Sequence, residues 1–152
     1  MIVSREDLLA LAATHRTQGH TIALANGVFD LLHVGHLRFL RGAAAEADVL
    51  VVAVNDDGAV KQLKGPDRPV VPEAERAELV DAIRGVDYVV LFDDLTVGPL
   101  LEALRPDVHC KGTDYTVETV PERAIVRAYG GRTAIVGDPK DHSTRDIVAR
   151  LK

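Results

Sequence analysis

Apolar and polar positions along the chain fall into short blocks that switch between a helical and an extended period. From Ser4 to about Arg16, Leu8, Leu9, Leu11 and Ala12 recur at helical spacing; Ser4 and Asp7 resemble a capping box, and Gly19 supplies the stop. Thr21 to Ala25 (TIALA) is β-branched and apolar, which predicts a buried strand, and Leu37 to Ala47 (LRFLRGAAAEA) predicts a helix. Asp48 to Asn55 (DVLVVAVN) is the clearest buried strand, followed by Asn55-Asp56-Asp57-Gly58 with an aspartate available as N-cap of a short helix to about Leu63. Pro72 opens a helix closed by Gly85, with Ala77, Val80, Ala82 and Ile83 toward the core. Strands are expected again at Asp87 to Phe92, Asp107 to Cys110 and Thr133 to Val136; helices at Val97 to Leu104, Pro121 to Tyr129 and Ser143 to Leu151.

Strands alternating with helices from Thr21 onward indicate an α/β fold: a single Rossmann-like domain, a parallel β-sheet with helices on both faces and right-handed crossovers. No repeat, low-complexity tract or linker divides residues 1–152, which read as an N-terminal helix (about 4–18) and an α/β core (about 20–152). The turns after Ala25, Val54, Phe92, Cys110 and Val136 then gather at one sheet edge, where ligands bind in such folds.

Composition narrows this picture. The chain is 47% hydrophobic with no Trp, so Val, Ala, Leu and Ile must fill its core, as parallel strands under helices require. A formal net charge of −5 argues against a general nucleic-acid binder, so an anionic ligand needs a local cluster of cations. The single cysteine, Cys110, excludes an internal disulfide and reads as a small buried side chain. No signal peptide or membrane-span pattern appears, which makes the cytoplasm the expected location and a membrane partner unexpected. His15 and His20 flank a helix end and read as solvated.

The candidate chemistry is densest from Asn26 to His36 (NGVFDLLHVGH). Asn26-Gly27 is expected to turn the backbone out of its strand, using glycine's tolerance of positive φ and close approach. Phe29 and Leu31 or Leu32 would anchor the turn, which also carries Asp30. A helix starting near Val34 puts His33 and His36 at its first turn over Gly35, beside backbone N–H groups and the positive dipole end, an arrangement suited to polyphosphate. No cysteine cluster or carboxylate–histidine set completes a metal site, so no metal ligands are assigned. Lys64-Gly65-Pro66-Asp67-Arg68-Pro69 reads as a mobile basic loop that, with Lys61, folds over such a ligand. Arg76 is either a surface charge or a phosphate contact. Lys111-Gly112-Thr113-Asp114-Tyr115, at a strand tip, offers a cation, an open backbone and a carboxylate; Ser143-Thr144 offers two hydroxyls at a helix start as a second phosphate seat.

NGVFDLLHVGH resembles the H-x-G-H motif of the cytidylyltransferase-like nucleotidyltransferases. KGTDY and STRDIV are similar to motifs of the bacterial sugar-phosphate adenylyltransferases, above all those acting on heptose 1-phosphate, and the order AVNDD, LKGPDRPV and Glu75-Arg76 agrees. The resemblance covers the chain from about Thr21 onward. It implies adenylyl transfer from ATP, bound with Mg2+, to a sugar 1-phosphate, giving an ADP-sugar for lipopolysaccharide and pyrophosphate. It implies catalytic roles for His33, His36 and Lys64, and ligand binding by Asn26, Gly27, Phe29, Asp30, Gly35, Lys111, Gly112, Asp114, Ser143 and Thr144. A homodimer is the assembly to test. In that family the activity is often fused to a sugar kinase, and a chain of this length would be the stand-alone form. Val28, Thr113 and Arg145 depart from the common pattern, and Arg145 bears on the sugar phosphate more than on the reaction. Two other functions compete: a cytidylyltransferase for glycerol 3-phosphate or a similar alcohol phosphate, which KGTDY disfavours, and a non-catalytic nucleotide-binding module, which would need no cation for a leaving group.

Overall fold

The computed structural model describes residues 1–139 and 144–151, without the side chains of 144–146. It holds five strands, β1 (Ile22–Gly27), β2 (Val49–Asn55), β3 (Tyr88–Phe92), β4 (Val108–Lys111) and β5 (Arg132–Ile135). All pairings are parallel, in the order β3-β2-β1-β4-β5. Among the described residues, seven α-helices connect or flank them, α1 (Arg5–Thr17), α2 (Val34–Ala44), α3 (Asp57–Lys64), α4 (Glu73–Asp81), α5 (Gly98–Leu104), α6 (Arg123–Ala128) and α7 (Thr144–Leu151), with a 3-10 turn at Val117–Thr119.

The alternating side chains of the strands feed two cores. Ala23, Ala25, Leu50, Val52, Val54, Val108 and Cys110 pack with Leu40 and Ala43 of α2 and Ala77 and Val80 of α4. Ile22, Leu24, Val49, Val51 and Val90 face the opposite way, onto Leu8 and Ala12 of α1, Leu100, Leu101 and Leu104 of α5, and Val126 of α6. Helices therefore cover both faces, and β2 is buried along its whole length. Cys110 is fully buried, and burial pushes its thiol up to about 12, so it fills space and is no nucleophile.

Sheet order carries the main consequence for function. The chain moves from β1 through β2 to β3 on one side, then returns past β1 to β4 and β5 on the other. Such a reversal opens a crevice at the carboxyl ends of the two central strands. Here those are β1, with Asn26-Gly27 at its end, and β4, with Lys111 at its end.

Local expectations fared unevenly. Ser4 caps α1 by accepting from the Asp7 N–H, and Asp56 caps α3 by accepting from Ala59. Ala82, expected in the core, is exposed because α4 ends at Asp81 and the segment after it leaves the helical register. His15 and His20 are not simply solvated. Their Nδ1 atoms lie 2.9 Å apart, and His15 Nε2 is 2.7 Å from the Tyr88 hydroxyl at the start of β3.

Candidate functional site: the β1 and β4 tips

β1 runs through Asn26 and Gly27, so the pair expected to turn the chain belongs to the strand. The left-handed backbone falls instead on Phe29 (φ 53°) and Leu31 (φ 45°), both uncommon for such side chains. Gly27 packs closely under the turn: a Cβ there would sit 3.2 Å from the Phe29 ring, which would have to shift by a few tenths of an ångström. Phe29 turns its ring back into the core, where it meets Phe39 and lies edge-on to His36 with centroids 5.5 Å apart. Leu32 packs against the same core. Phe29 thus supports the turn from below, and the strained backbone lifts the following residues to the sheet edge.

His33 is the N-cap of α2, and the helix starts at Val34 as its sequence predicts. His33 Nδ1 accepts from the Gly35 N–H at 3.1 Å, and His36 Nδ1 accepts from the His33 N–H at 3.3 Å. An imidazole nitrogen that accepts carries no proton, so both rings are held in the tautomer with the proton on Nε2. The rings lie nearly parallel, 4.0 Å between centroids, at the positive end of the helix, and His33 Nε2 is buried there. Capping therefore uses the Nδ1 edge of both rings. At Gly35, the glycine expected to let the ligand approach closely, the N–H is engaged by His33.

Asp30 is 1% exposed and its carboxylate accepts from the Val70 N–H (2.8 Å), the Val71 N–H (2.9 Å) and Arg68 Nε (3.1 Å). Burial alone would raise this carboxyl, but the hydrogen bonds from Val70, Val71 and Arg68 and the Arg68 charge together hold it below the ordinary value. The segment expected to be a mobile loop is thereby pinned to the turn after β1 at Arg68, Val70 and Val71. Lys61 and Lys64 lie on the last turn of α3, exposed, and Gly65 (φ 109°) ends that helix.

Arg76 is neither a surface charge nor a phosphate contact. It is fully buried in α4. Its Nη1 donates to the carbonyls of Val28 and Asn55, both at 2.7 Å, Nε donates to Val71 O at 2.9 Å, and Nη2 meets Asp57 Oδ1 at 2.9 Å. One guanidinium thus ties the β1 turn, the β2 tip, the start of α3 and the segment before α4. Its sequence signal was its place in the core stripe of α4, at helical spacing from Val80 and Ile83.

At the β4 tip, Lys111 ends the strand and its Nζ stands 4.7 Å from the centre of the Tyr115 ring, a cation–π contact. The Tyr115 N–H donates to Gly112 O, and a Cβ at Gly112 would approach Asp114 Oδ1 to 3.2 Å, so the turn is tight around Asp114. Thr113 Oγ1 donates to Asp138 O at 2.7 Å, and Asp138 pairs with Arg38 of α2 at 2.8 Å, which links this turn to the histidine-bearing helix. Beneath it lies His109, which the sequence reading passed over; its Nε2 is 2.8 Å from Asn26 Oδ1. Ser143 lies outside the described residues, and Thr144 is the first residue of α7. Among the described residues, no group of three or more His, Cys, Asp or Glu is placed to hold a metal ion. Nor, among them, is any helix long and apolar enough to cross a membrane.

The order of strands defines a doubly wound α/β domain, with the capped histidine pair and the lysine-bearing turn at its β1/β4 switch point. A cytidylyltransferase-like family profile matches residues 24–149, and the chain belongs to that family of nucleotidyltransferases. The chain is 43% identical over 147 residues to "Bifunctional protein HldE" of Syntrophotalea carbinolica, covering 97% of this chain and 30% of that protein. It is 42% identical over 151 residues to the protein of the same name from Geotalea uraniireducens, covering 99% and 31%. The chain therefore spans about a third of the length of these relatives. A crystal structure of the lipopolysaccharide core biosynthesis protein from Thermoplasma volcanium shares the fold, with a TM-score of 0.69 at 24% identity over 80% of this chain and all of that one.

Proposed function

We propose that this domain transfers the adenylyl group of ATP to a sugar 1-phosphate of the heptose class, releasing pyrophosphate in one in-line displacement. The observation that carries the reading is the α2 start, where two stacked imidazoles with their protons on Nε2 meet a helix N-terminus beside the Lys111 turn. The choice of ATP and a sugar 1-phosphate rests on KGTDY and on the similarity to the bifunctional relatives.

A sugar phosphate is already a nucleophile near neutral pH, because phosphate monoesters lose their second proton near pKa ~6. One of its oxygens attacks the α-phosphorus of ATP, the bond from that phosphorus to the oxygen bridging to the β-phosphate breaks, and pyrophosphate leaves with the electron pair. No general base and no covalent enzyme intermediate are needed. The protein's work is to align two polyanions and neutralise charge on the oxygens around phosphorus. His36 donates to phosphate oxygens from Nε2, and His33 does so once ligand binding uncovers its buried Nε2. Lys64 neutralises the leaving pyrophosphate, Lys111 holds the acceptor phosphate, and Asp114 accepts from ribose hydroxyls. The donor set is one for anions, so Mg2+ enters as part of the ATP complex, carried by its phosphates.

Pyrophosphate release tests the assignment, with ATP and CTP each paired with heptose 1-phosphate and glycerol 3-phosphate. Turnover is expected with ATP and heptose 1-phosphate. Turnover only with CTP and glycerol 3-phosphate would replace this reading with the alcohol-phosphate cytidylyltransferase, and ATP binding without turnover on any acceptor would favour a binding module.

A further inference from the structure

We propose that His109 is a positioning residue for nucleotide binding, acting through Asn26; the proposal rests on the reading that Asn26 faces the nucleotide. His109 pairs in register with Leu24 across the β1–β4 ladder, so alternation puts His109, Leu24 and Asn26 on one face of the sheet. The imidazole reaches forward along that face and its Nε2 meets Asn26 Oδ1 at 2.8 Å. Asn26 Oδ1 is an acceptor, so Nε2 carries the proton and Nδ1 does not. The ring is fully buried and Nδ1 has no hydrogen-bond partner. Burial first, and then the Lys111 charge, lower its pKa to about 3, so the ring stays neutral and keeps this one tautomer throughout the working pH range.

A histidine is a poor choice for packing at this position. Its neighbours in β4, Val108 and Cys110, are buried and apolar, and a leucine would fill the space without burying an unmet nitrogen. What histidine supplies and leucine cannot is the donor that fixes the Asn26 amide with its oxygen toward β4. The amide NH2 is then the edge turned away from β4, ready to donate to an anionic or carbonyl acceptor. A buried polar group that costs stability while orienting a ligand contact is the expected signature of a residue kept for function.

The test is a cycle of His109→Leu, Asn26→Ala and the double variant. Melting temperature, ATP affinity by calorimetry and the kcat and KM for ATP are measured on each, with His109→Gln as the conservative control. His109→Leu should lower kcat/KM for ATP about tenfold, the low end for an outer-shell partner, with a melting temperature unchanged or raised. The double variant should be no worse than Asn26→Ala, and His109→Gln, whose amide can replace the Nε2–H donor, should recover most of the loss. If Asn26→Ala leaves ATP binding and turnover unchanged, the Asn26 reading fails and the proposal falls with it. If Asn26→Ala impairs ATP use but His109→Leu is silent, or its loss adds in full to that of Asn26→Ala, only the His109 proposal is overturned. A melting temperature lowered by several degrees in both His109→Leu and His109→Phe would make the residue structural and overturn it as well.

Discussion

Replacing Arg76 with methionine keeps the apolar stem and removes a guanidinium that makes four hydrogen bonds inside the fold. Three of its partners are backbone carbonyls, and leaving a buried acceptor unmet costs ~1–3 kcal/mol. Water can enter beside Asp57, whose side chain is one-third exposed, so the full sum will not appear. Breaking one side of a buried charged contact costs ~3–5 kcal/mol, and that is the expected loss. For a domain of this size it lowers the melting temperature by roughly 10 °C, at about 2–4 °C per kcal/mol. Urea denaturation followed by far-UV circular dichroism measures the loss. Hydrogen exchange gives its location: the Val70 and Val71 amides should lose protection, because Arg76 and Asp30 hold that segment together. A loss below about 1 kcal/mol, or unchanged exchange at those amides, would refute the view that one buried guanidinium assembles the site's floor.

His36→Ala should cut kcat by about two orders of magnitude, the scale for losing one preorganised donor, while the circular dichroism spectrum is kept and the melting temperature falls by only a few degrees, since the lost cap bond to the His33 N–H costs about 1 kcal/mol. Lys64→Ala should lower kcat and raise the KM for ATP with no change in melting temperature, since the side chain is exposed; unchanged kinetics would return that lysine to the solvated surface. The buried neutral His109 sets an acid limit. With its pKa lowered from 6.5 to about 3, the unfolded chain takes up a proton that the folded one refuses, so stability is lost as pH falls from 6.5 toward 3. By pH 4.5 the loss is about 3 kcal/mol, at ~1.4 kcal/mol per pH unit, and His109→Leu should lack it. Asp30 acts lower: its depressed pKa gives stability present above the ordinary 3.8 and lost only as pH falls below it, so urea midpoints across pH separate the two groups.

Hydrophobic periodicity made the five strands and the helices over both faces readable, because parallel strands are buried along their length and helices carry an apolar stripe. The histidine pair and the Lys111 turn were legible from residue type and spacing, and their approach follows from the order of strands. What the sequence concealed was the use of polar groups inward. Asp30 beside two histidines reads as a ligand contact, yet its carboxylate is taken up by amides and an arginine forty or so residues away. Gly27 reads as a turn residue, yet it lies in the strand with the Phe29 ring packed close over it. Such pairings depend on which segments meet across crossovers, and local periodicity does not report that.

The direct transfer of adenylyl to a sugar phosphate is tested most closely with an ATP made chiral by sulfur at the α-phosphorus, incubated with heptose 1-phosphate and Mg2+. The sugar nucleotide product, resolved by phosphorus NMR, should form with inverted configuration at phosphorus, because a single displacement inverts. Retained configuration would require two displacements and an enzyme-bound intermediate on a side chain such as His33 or His36, contradicting the role proposed for both histidines as donors.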